Sequence, residues 1–488
     1  MSVSSSTSPD GAGRITRFPN ERVTFSDICS FRANLFRFPD HFSYPVTSVT
    51  AAGSRRSYVG AMTTNMTKCP VDFHPLSLHV LAEPLEFWQR AEHSPVFYFE
   101  PMNCWVVADW KECERGLIDF KTFSSKTIQA VRLTPELEER IPAEIRAIAP
   151  KLIEQAFINL DPPVHNVNRR NSQRALTPRH VAESEDEIRK IANTVIDEIA
   201  ANGSGDLLHE FCHRFTLNSI AGFVGFPKEA LPSFRNWIDD WFGLIEPARP
   251  EGVDAPLPCS PEELEGRYRR LADAHAFFLN YLAERKANPG DDLASRMLTE
   301  TNPDGTPAMS LDEILTRMIE FAAAGSDTTA NLIAHMVRMF TTDPAMLERV
   351  TADPGLWETT IEEGLRRFAI INCLVRVTTK DAELGGVTIP AGSVVLFNIP
   401  AANGDASHFK NPLEFDPSRE NVESHLSFGK GRHMCIGAPL ARLEARIALQ
   451  ELYRRLPDLK ADLDQPQQYG AAIGLRALQS LPATWTPR

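Results

Sequence analysis

The sequence has no run of about 18 or more apolar residues, so it offers no candidate for a membrane-spanning helix. It also lacks a surplus of positive charge. Lys and Arg number 51 against 64 Asp and Glu, a net charge of -13, which argues against a nucleic-acid partner because that would need a basic face. The eight cysteines, Cys29, Cys69, Cys104, Cys113, Cys212, Cys259, Cys373 and Cys435, show no framework spacing. They predict reduced, mostly buried thiols in a cytoplasmic protein. No second cysteine lies within several residues of Cys435, which excludes a local C-x-x-C redox or zinc pair.

What is present is length and apolar content. With 488 residues, 43% of them hydrophobic, the chain can bury a large core. Residues 1–68 differ from the rest, being rich in Ser, Thr and Arg and poor in acids. Three readings stay open for them: a disordered tail, an organelle transit peptide, or an upstream extension with Met62 or Met66 as the true start. The first and third are preferred. From Cys69 onward the chain reads as one globular domain.

The most informative stretch is Phe428-Gly429-Lys430-Gly431-Arg432-His433-Met434-Cys435-Ile436-Gly437. Glycine at this density suits a tight loop. Pro439 stands where a first helical residue would, and residues 440–449 carry apolar side chains at helical spacing. Cys435 is therefore expected in a loop that feeds a helix N-terminus, where backbone N–H groups and the helix dipole favour a thiolate. Such a thiolate suits a nucleophile, a redox switch or a metal ligand. With no partner cysteine nearby, a single axial thiolate on heme iron is the strong option.

At every fixed position this F-G-x-G-x-H-x-C-x-G stretch resembles the heme-binding loop of the cytochrome P-450 family. The resemblance implies a mainly helical fold with a small β region, and heme b (iron protoporphyrin IX) between a long central helix and the Cys435 loop. It also implies insertion of one oxygen atom from O2 into a hydrophobic small organic substrate. The missing anchor resembles soluble, bacterial-type members. With no flavin or dinucleotide domain in the sequence, electrons are expected from a separate ferredoxin-type donor. Lys430, Arg432 and Arg174 are candidate basic contacts for it, or ordinary solvated charges.

Further motifs follow in the family's order. Residues 83–91 have helical spacing, 96–99 and 105–107 read as strands around a turn at 101–103, and 110–120 returns to helix. Asp161-Pro162-Pro163 is a helix-entry signal, and His165 and Arg169 behind it share one helical face. Alone this reads as a solvated basic face; the resemblance makes both donors to heme propionates. Residues 183–292 read as mostly helical, with loops at 203–205 and 247–261.

A long helix is expected from Ser310, capped by Ser310 and Glu313, towards Asp343-Pro344; it would span about 45–50 Å. Its middle, Ala323-Ala324-Gly325-Ser326-Asp327-Thr328-Thr329, is weak helix-forming sequence. Either it packs closely on a neighbour, or Thr328 bonds back to Ala324 and opens a groove. The A-G-x-D-T-T pattern resembles the family's oxygen-activation motif. By that resemblance Thr328 holds activated oxygen by a hydrogen bond, Asp327 brings protons and Ala324 borders the heme; Thr329 has no firm role.

Glu363 and Arg366 are three apart and can pair. An E-x-x-R pair alone is a weak signal. In this order it resembles the family's buried pair, with Arg419 of Phe415-Asp416-Pro417-Ser418-Arg419 as third partner, serving folding and heme retention. Arg376 and His433 complete the implied propionate donors. One departure lies at Ile370, where many relatives carry proline. Phe321, Ala324, Asn372, Leu374 and Leu475 are the candidate substrate-pocket residues. Two other readings stay in view: a heme-based sensor or ligand-binding protein without turnover, and a peroxide-driven peroxygenase. Peroxide-driven relatives lack the acid-Thr pair, and a sensor would leave Asp327 and Thr328 without a task.

Overall fold

The computed structural model describes residues 68–70, 72–227, 230–247, 257–470 and 474–488, apart from a few side chains within helices. The expectations for residues 1–67 and for the loop at 248–256 fall outside them.

Two short helices, the second Pro84–Arg90, lead into the hairpin of β1 (Val96–Phe99) and β2 (Cys104–Val107). Asn103 makes the turn with φ +47°, a left-handed conformation that Asn tolerates. With β3 (Phe123–Ser124), β4 (Cys373–Thr378) and β5 (Val394–Asn398) these form a five-stranded sheet in the order β1-β2-β5-β4-β3. Strand β5 runs parallel to β2 and antiparallel to β4. A separate hairpin, Ala382–Leu384 with Val387–Ile389, occupies the expected stretch. The rest is mainly helical, as the motifs implied.

Five helices position the site: α1 (Val164–Ala175), α2 (His213–Val224), α3 (Leu311–Thr342), α4 (Trp357–Phe368) and α5 (Ala438–Arg455). Helix α3 begins on the predicted reciprocal cap: the Ser310 hydroxyl accepts from the Glu313 amide, and the Glu313 carboxylate accepts from the Ser310 amide. Its 32 residues give a length of about 48 Å. Most of its surface is buried, including Leu315, Met318, Leu332, Ile333, Met336 and Val337. Helices α2, α4 and α5 pack directly on it.

One local expectation is corrected. Residues 203–205 read as a loop from their Gly-Ser-Gly composition, but Ser204–Asp206 is a strand paired antiparallel with Pro482–Thr484 near the C-terminus. Its partner lies far away in sequence, so local composition carries no signal for it.

Candidate active site

The Cys435 loop turns through Gly429 and Gly431 at φ +68° and +70°, which only glycine adopts without strain. A Cβ on Gly431 would also come within 3.0 Å of the Leu117 carbonyl. The Cys435 amide donates to the Phe428 carbonyl at 2.8 Å, closing the loop. Helix α5 then starts at Ala438 with Pro439 in its first turn. The Cys435 side chain is exposed at its tip but surrounded by protein. Burial raises its pKa, while the amides of Gly437 and Ala438 and the charges of Arg169 and Arg442 oppose that rise. Backbone donors and cations around one sulfur are what a bound thiolate needs.

Beside this loop the chain collects four basic groups. His165, on the first turn of α1, is fully buried, and neither ring nitrogen has a hydrogen-bond partner among the described residues. Its ring lies 4.0 Å from that of His433 and stacks at 4.7 Å on Phe157. Burial and the neighbouring Arg169 push its pKa down to about 4. His433 is driven down to about 3 by burial and by Arg376, His165 and Arg169, and its Nε2 also lacks a partner. Arg376, on β4, is lowered to about 10 by burial. Arg169 is lowered by burial too, and donates to the Arg432 carbonyl at 2.8 Å.

None of the four forms an ion pair among the described residues. Asp161, nearest in charge to Arg376, is held instead by the Ser124 hydroxyl at 2.5 Å and the Ser125 amide at 3.0 Å. A buried guanidinium at Arg376, a half-buried one at Arg169 and unused imidazole nitrogens suit an anion. The two propionates of heme b fit them, and the Cys435 sulfur fits its iron.

On α3 the Thr328 hydroxyl donates to the Ala324 carbonyl at 2.7 Å. Ala324 is exposed although its neighbours Ala322 and Ala323 are buried, so this face borders an interior space. Gly325 serves close packing: a Cβ there would lie 3.0 Å from Ile220 on α2. Close packing on a neighbour therefore holds at Gly325, and the expected bond from Thr328 back to Ala324 is present. Thr329 is buried and points to Glu444 of α5. Asp327 was expected from the sequence; its partner was not. The Asp327 Oδ1 lies 3.3 Å from Nδ1 of His213 on α2.

Glu363 and Arg366 form a forked pair on α4, with both bonds at 2.8 Å and both residues fully buried. Arg366 also donates to the carbonyls of Asn403 at 2.8 Å and Pro412 at 2.9 Å. Arg419 reaches Glu363 at 3.4 Å, and the Asp416 amide donates to it at 3.0 Å. Next to this pair, Glu362 accepts from Arg442 of α5 at 2.8 Å and sits 3.2 Å from His425. Burial raises the Glu362 carboxyl, but these partners outweigh it and hold it down at about 2.

The candidate pocket residues are spread. Phe321 is buried one turn before Ala324 on α3. Leu374 lies beside Gly429, and Leu475 meets Ile371 through an isolated bridge, so the two segments expected at the pocket do come together. Asn372 is fully buried; its amide donates to Gly474 at 3.0 Å and its side chain to Pro75 at 3.2 Å, so it braces the backbone. Of the candidate basic contacts, Lys430 pairs with Glu114 at 3.2 Å. Arg432 bonds Asn166 and lies over the Phe120 ring at 4.2 Å. The Arg174 side chain lies outside the described residues.

Sequence reasoning missed two acid–base groups. His213 carries no local signal, because its meeting with Asp327 depends on how α2 and α3 pack. Glu444 did carry one: it sits on the face of α5 shared by Leu440 and Ile447 and is buried there. Burial pushes its carboxyl up to about 8, with Ser219 and Thr329 offsetting part of the rise.

Comparison with known proteins agrees with this geometry. The family profile described as cytochrome P-450 matches residues 135–353 and 355–467. The 6-deoxyerythronolide B hydroxylase of Saccharopolyspora erythraea is 28% identical over 81% of this chain and 94% of its own length. The vitamin D(3) 25-hydroxylase of Pseudonocardia autotrophica is 29% identical over 73% of this chain and 84% of its own. The solved structure of CYP109Q5 from Chondromyces apiculatus superposes with a TM-score of 0.70 at 28% identity, covering 85% of this chain and 98% of that one. The chain belongs to the cytochrome P-450 family of heme b monooxygenases that hydroxylate small organic substrates.

Proposed function

We propose that this chain, through one heme domain spanning residues 69–488, inserts an oxygen atom from O2 into a hydrophobic small molecule. Its electrons come from a separate ferredoxin-type donor. Heme b, when bound, supplies oxygen activation and transfer to the substrate. Cys435 holds the iron, with the Gly437 and Ala438 amides favouring its anionic form. His165, Arg169, Arg376 and His433 would hold the propionates, which would give partners to the His165 and His433 ring nitrogens that lack them among the described residues. Thr328 presents its hydroxyl to the oxygen side, and Asp327 passes protons to it. Phe321, Ala324, Leu374 and Leu475 give the substrate mainly apolar walls. Relatives named for vitamin D(3) and 6-deoxyerythronolide B support a bulky hydrophobic substrate. Free thiols at every described cysteine fit a cytoplasmic setting.

The observation that carries this reading is the Thr328 hydroxyl bonded to the Ala324 carbonyl, one residue from an Asp327 that already has an acid–base partner. A sensor would need neither. The test begins with the heme Soret shift on adding terpenes, steroids, fatty acids and aromatics. Bound compounds are then incubated with NADH, a ferredoxin and its reductase. Hydroxylated product formed with NADH and O2 is expected. Binding without NADH consumption would point to a sensor, and product formed only with hydrogen peroxide would point to a peroxygenase.

A further inference from the structure

We propose that His213, with His209 behind it, is the positioning and proton-supplying partner of Asp327, forming a histidine relay that leads inward from the protein surface. This rests on the reading of Asp327 and Thr328 as the proton-handling groups of the oxygen side.

The relay is built by an irregular turn. Helix α2 is preceded by Leu208–Cys212, a π-helical turn continuous with it. Such turns are rare and concentrate at functional sites. Here the turn stacks the His209 and His213 rings, with centroids 5.5 Å apart and planes 26° apart. At the inner end, His213 Nδ1 lies 3.3 Å from Asp327 Oδ1. At the outer end, His209 Nε2 lies 2.8 Å from the Gln479 carbonyl and 3.8 Å from Asp206 Oδ2. The Asp206 and His209 side chains are 27% and 21% exposed, against 11% for His213. The outer members therefore meet water more readily than the inner one.

Imidazole suits the task because it can take a proton on one ring nitrogen and release one from the other near neutral pH. The resting pair is the Asp327 carboxylate with protonated His213, and the His213 Nδ1 proton passes to Asp327 and on to the Thr328 side, leaving the carboxylate and a neutral His213. Neutral His213 is then reprotonated from bulk water through His209, a transfer that needs one water to span the 5.5 Å between the ring centroids. Each cycle moves one proton inward and leaves every group as it began. Other charged groups lie on α2, on the turn before it and on α5. Glu210 accepts from the Asp206 amide at 3.1 Å, Arg214 pairs with Glu198 of the helix Glu185–Ile199, and Glu444 of α5 approaches Ser219 two turns further along α2. Asp327 is the group that joins His213 to the oxygen side.

The test uses holoprotein and needs no identified substrate. Histidine 13Cε1 NMR of the reduced, carbon-monoxide-bound protein follows the His213 titration. Asp327→Asn is expected to lower the His213 pKa by about one unit or more, because it removes an adjacent opposite charge. An unmoved His213 pKa overturns the proposal. The second arm measures NADH-driven O2 consumption with a ferredoxin and its reductase in H2O and D2O. In the wild type the rate falls as pH rises through the His213 pKa, because the protonated ring is the donor. His213→Gln keeps an N–H donor but cannot titrate. It is expected to retain heme, slow consumption about tenfold or more, and lose that pH dependence. His213→Gln that is slowed but keeps the wild-type pH profile overturns the proposal in favour of a structural role. Wild-type rate in His213→Gln with a slowed Asp327→Asn sinks the relay and leaves Asp327 its role. Wild-type rates in both variants sink the reading of Asp327 as well.

Discussion

Two of the clusters of polar and charged side chains among the described residues are built in opposite ways. In the first, Glu363 and Arg366 saturate each other, Arg419 adds a second cation 3.4 Å from Glu363, and backbone carbonyls take up Arg366's remaining donors. In the second, His165, Arg169, Arg376 and His433 are gathered with no acid in ion-pair reach among the described residues, and their pKa values are all depressed. A saturated cluster is finished structure, whose purpose is to hold the segment before the Cys435 loop against α4. Two guanidinium groups beside two neutral imidazoles with unused ring nitrogens are an arrangement that an anion would complete. Burial alone does not separate the two; the state of the partners does.

The largest effect should come from breaking the saturated cluster. Arg366→Ala strips the fully buried Glu363 of its forked partner and leaves it only the longer contact to Arg419 at 3.4 Å, a loss of about 3–5 kcal/mol. That is a large share of the stability of an ordinary domain, so little folded holoprotein should be recovered. Wild-type yield and heme content would break the comparison. The second cluster should respond in the reverse sense. Arg376→Leu removes a buried cation that bonds the neighbouring Val375 carbonyl and has no ion-pair partner among the described residues, so the apoprotein should melt no lower than wild type. Heme retention should fall, which heme transfer to apomyoglobin would measure. An apoprotein as damaged as Arg366→Ala would show that the cationic cluster is structural after all.

Glu362 sharpens the comparison through pH. Its folded pKa of about 2 lies below the ordinary value of 4.5, so its contribution is present above pH 4.5 and is lost as pH falls towards 2. The shift corresponds to roughly 3 kcal/mol at neutral pH. The stability gap between wild type and Glu362→Gln should therefore narrow across that window in denaturant melts. A gap that stays constant with pH would remove the charge-pairing account. The smallest structural effect is expected at Thr328. Thr328→Ala should leave stability within about 0.5 kcal/mol and keep heme. NADH should still be consumed, with less product and more hydrogen peroxide per equivalent. Unchanged coupling would return Thr328 to a packing role.

What could be read from the sequence was what depends on short spacing. The loop glycines, Cys435 and Pro439 constrain one another over a dozen residues, and Ser310 with Glu313 announces a helix start by the same local logic. Thr328 and Ala324 are one turn apart, so their hydrogen bond follows from the helix itself. Glu363, Arg366 and Arg419 were legible only because motif order placed them together. The His213–Asp327 pair was not legible, because it joins two helices more than a hundred residues apart and needs the π turn at Leu208–Cys212. The strand Ser204–Asp206 was hidden for the same reason, its partner lying near the C-terminus. Arg476 carried no local warning either, yet it is buried and donates to the Leu81 carbonyl at 2.8 Å.

The account stands most directly on Cys435 as the thiolate that holds heme iron. The decisive measurement is the carbon monoxide difference spectrum of the reduced protein, taken for wild type and Cys435→Ala at equal heme content. Wild type should give the thiolate-type spectrum and the variant should lose it, while heme held by the cationic cluster remains detectable. A full thiolate-type spectrum from Cys435→Ala would contradict the account.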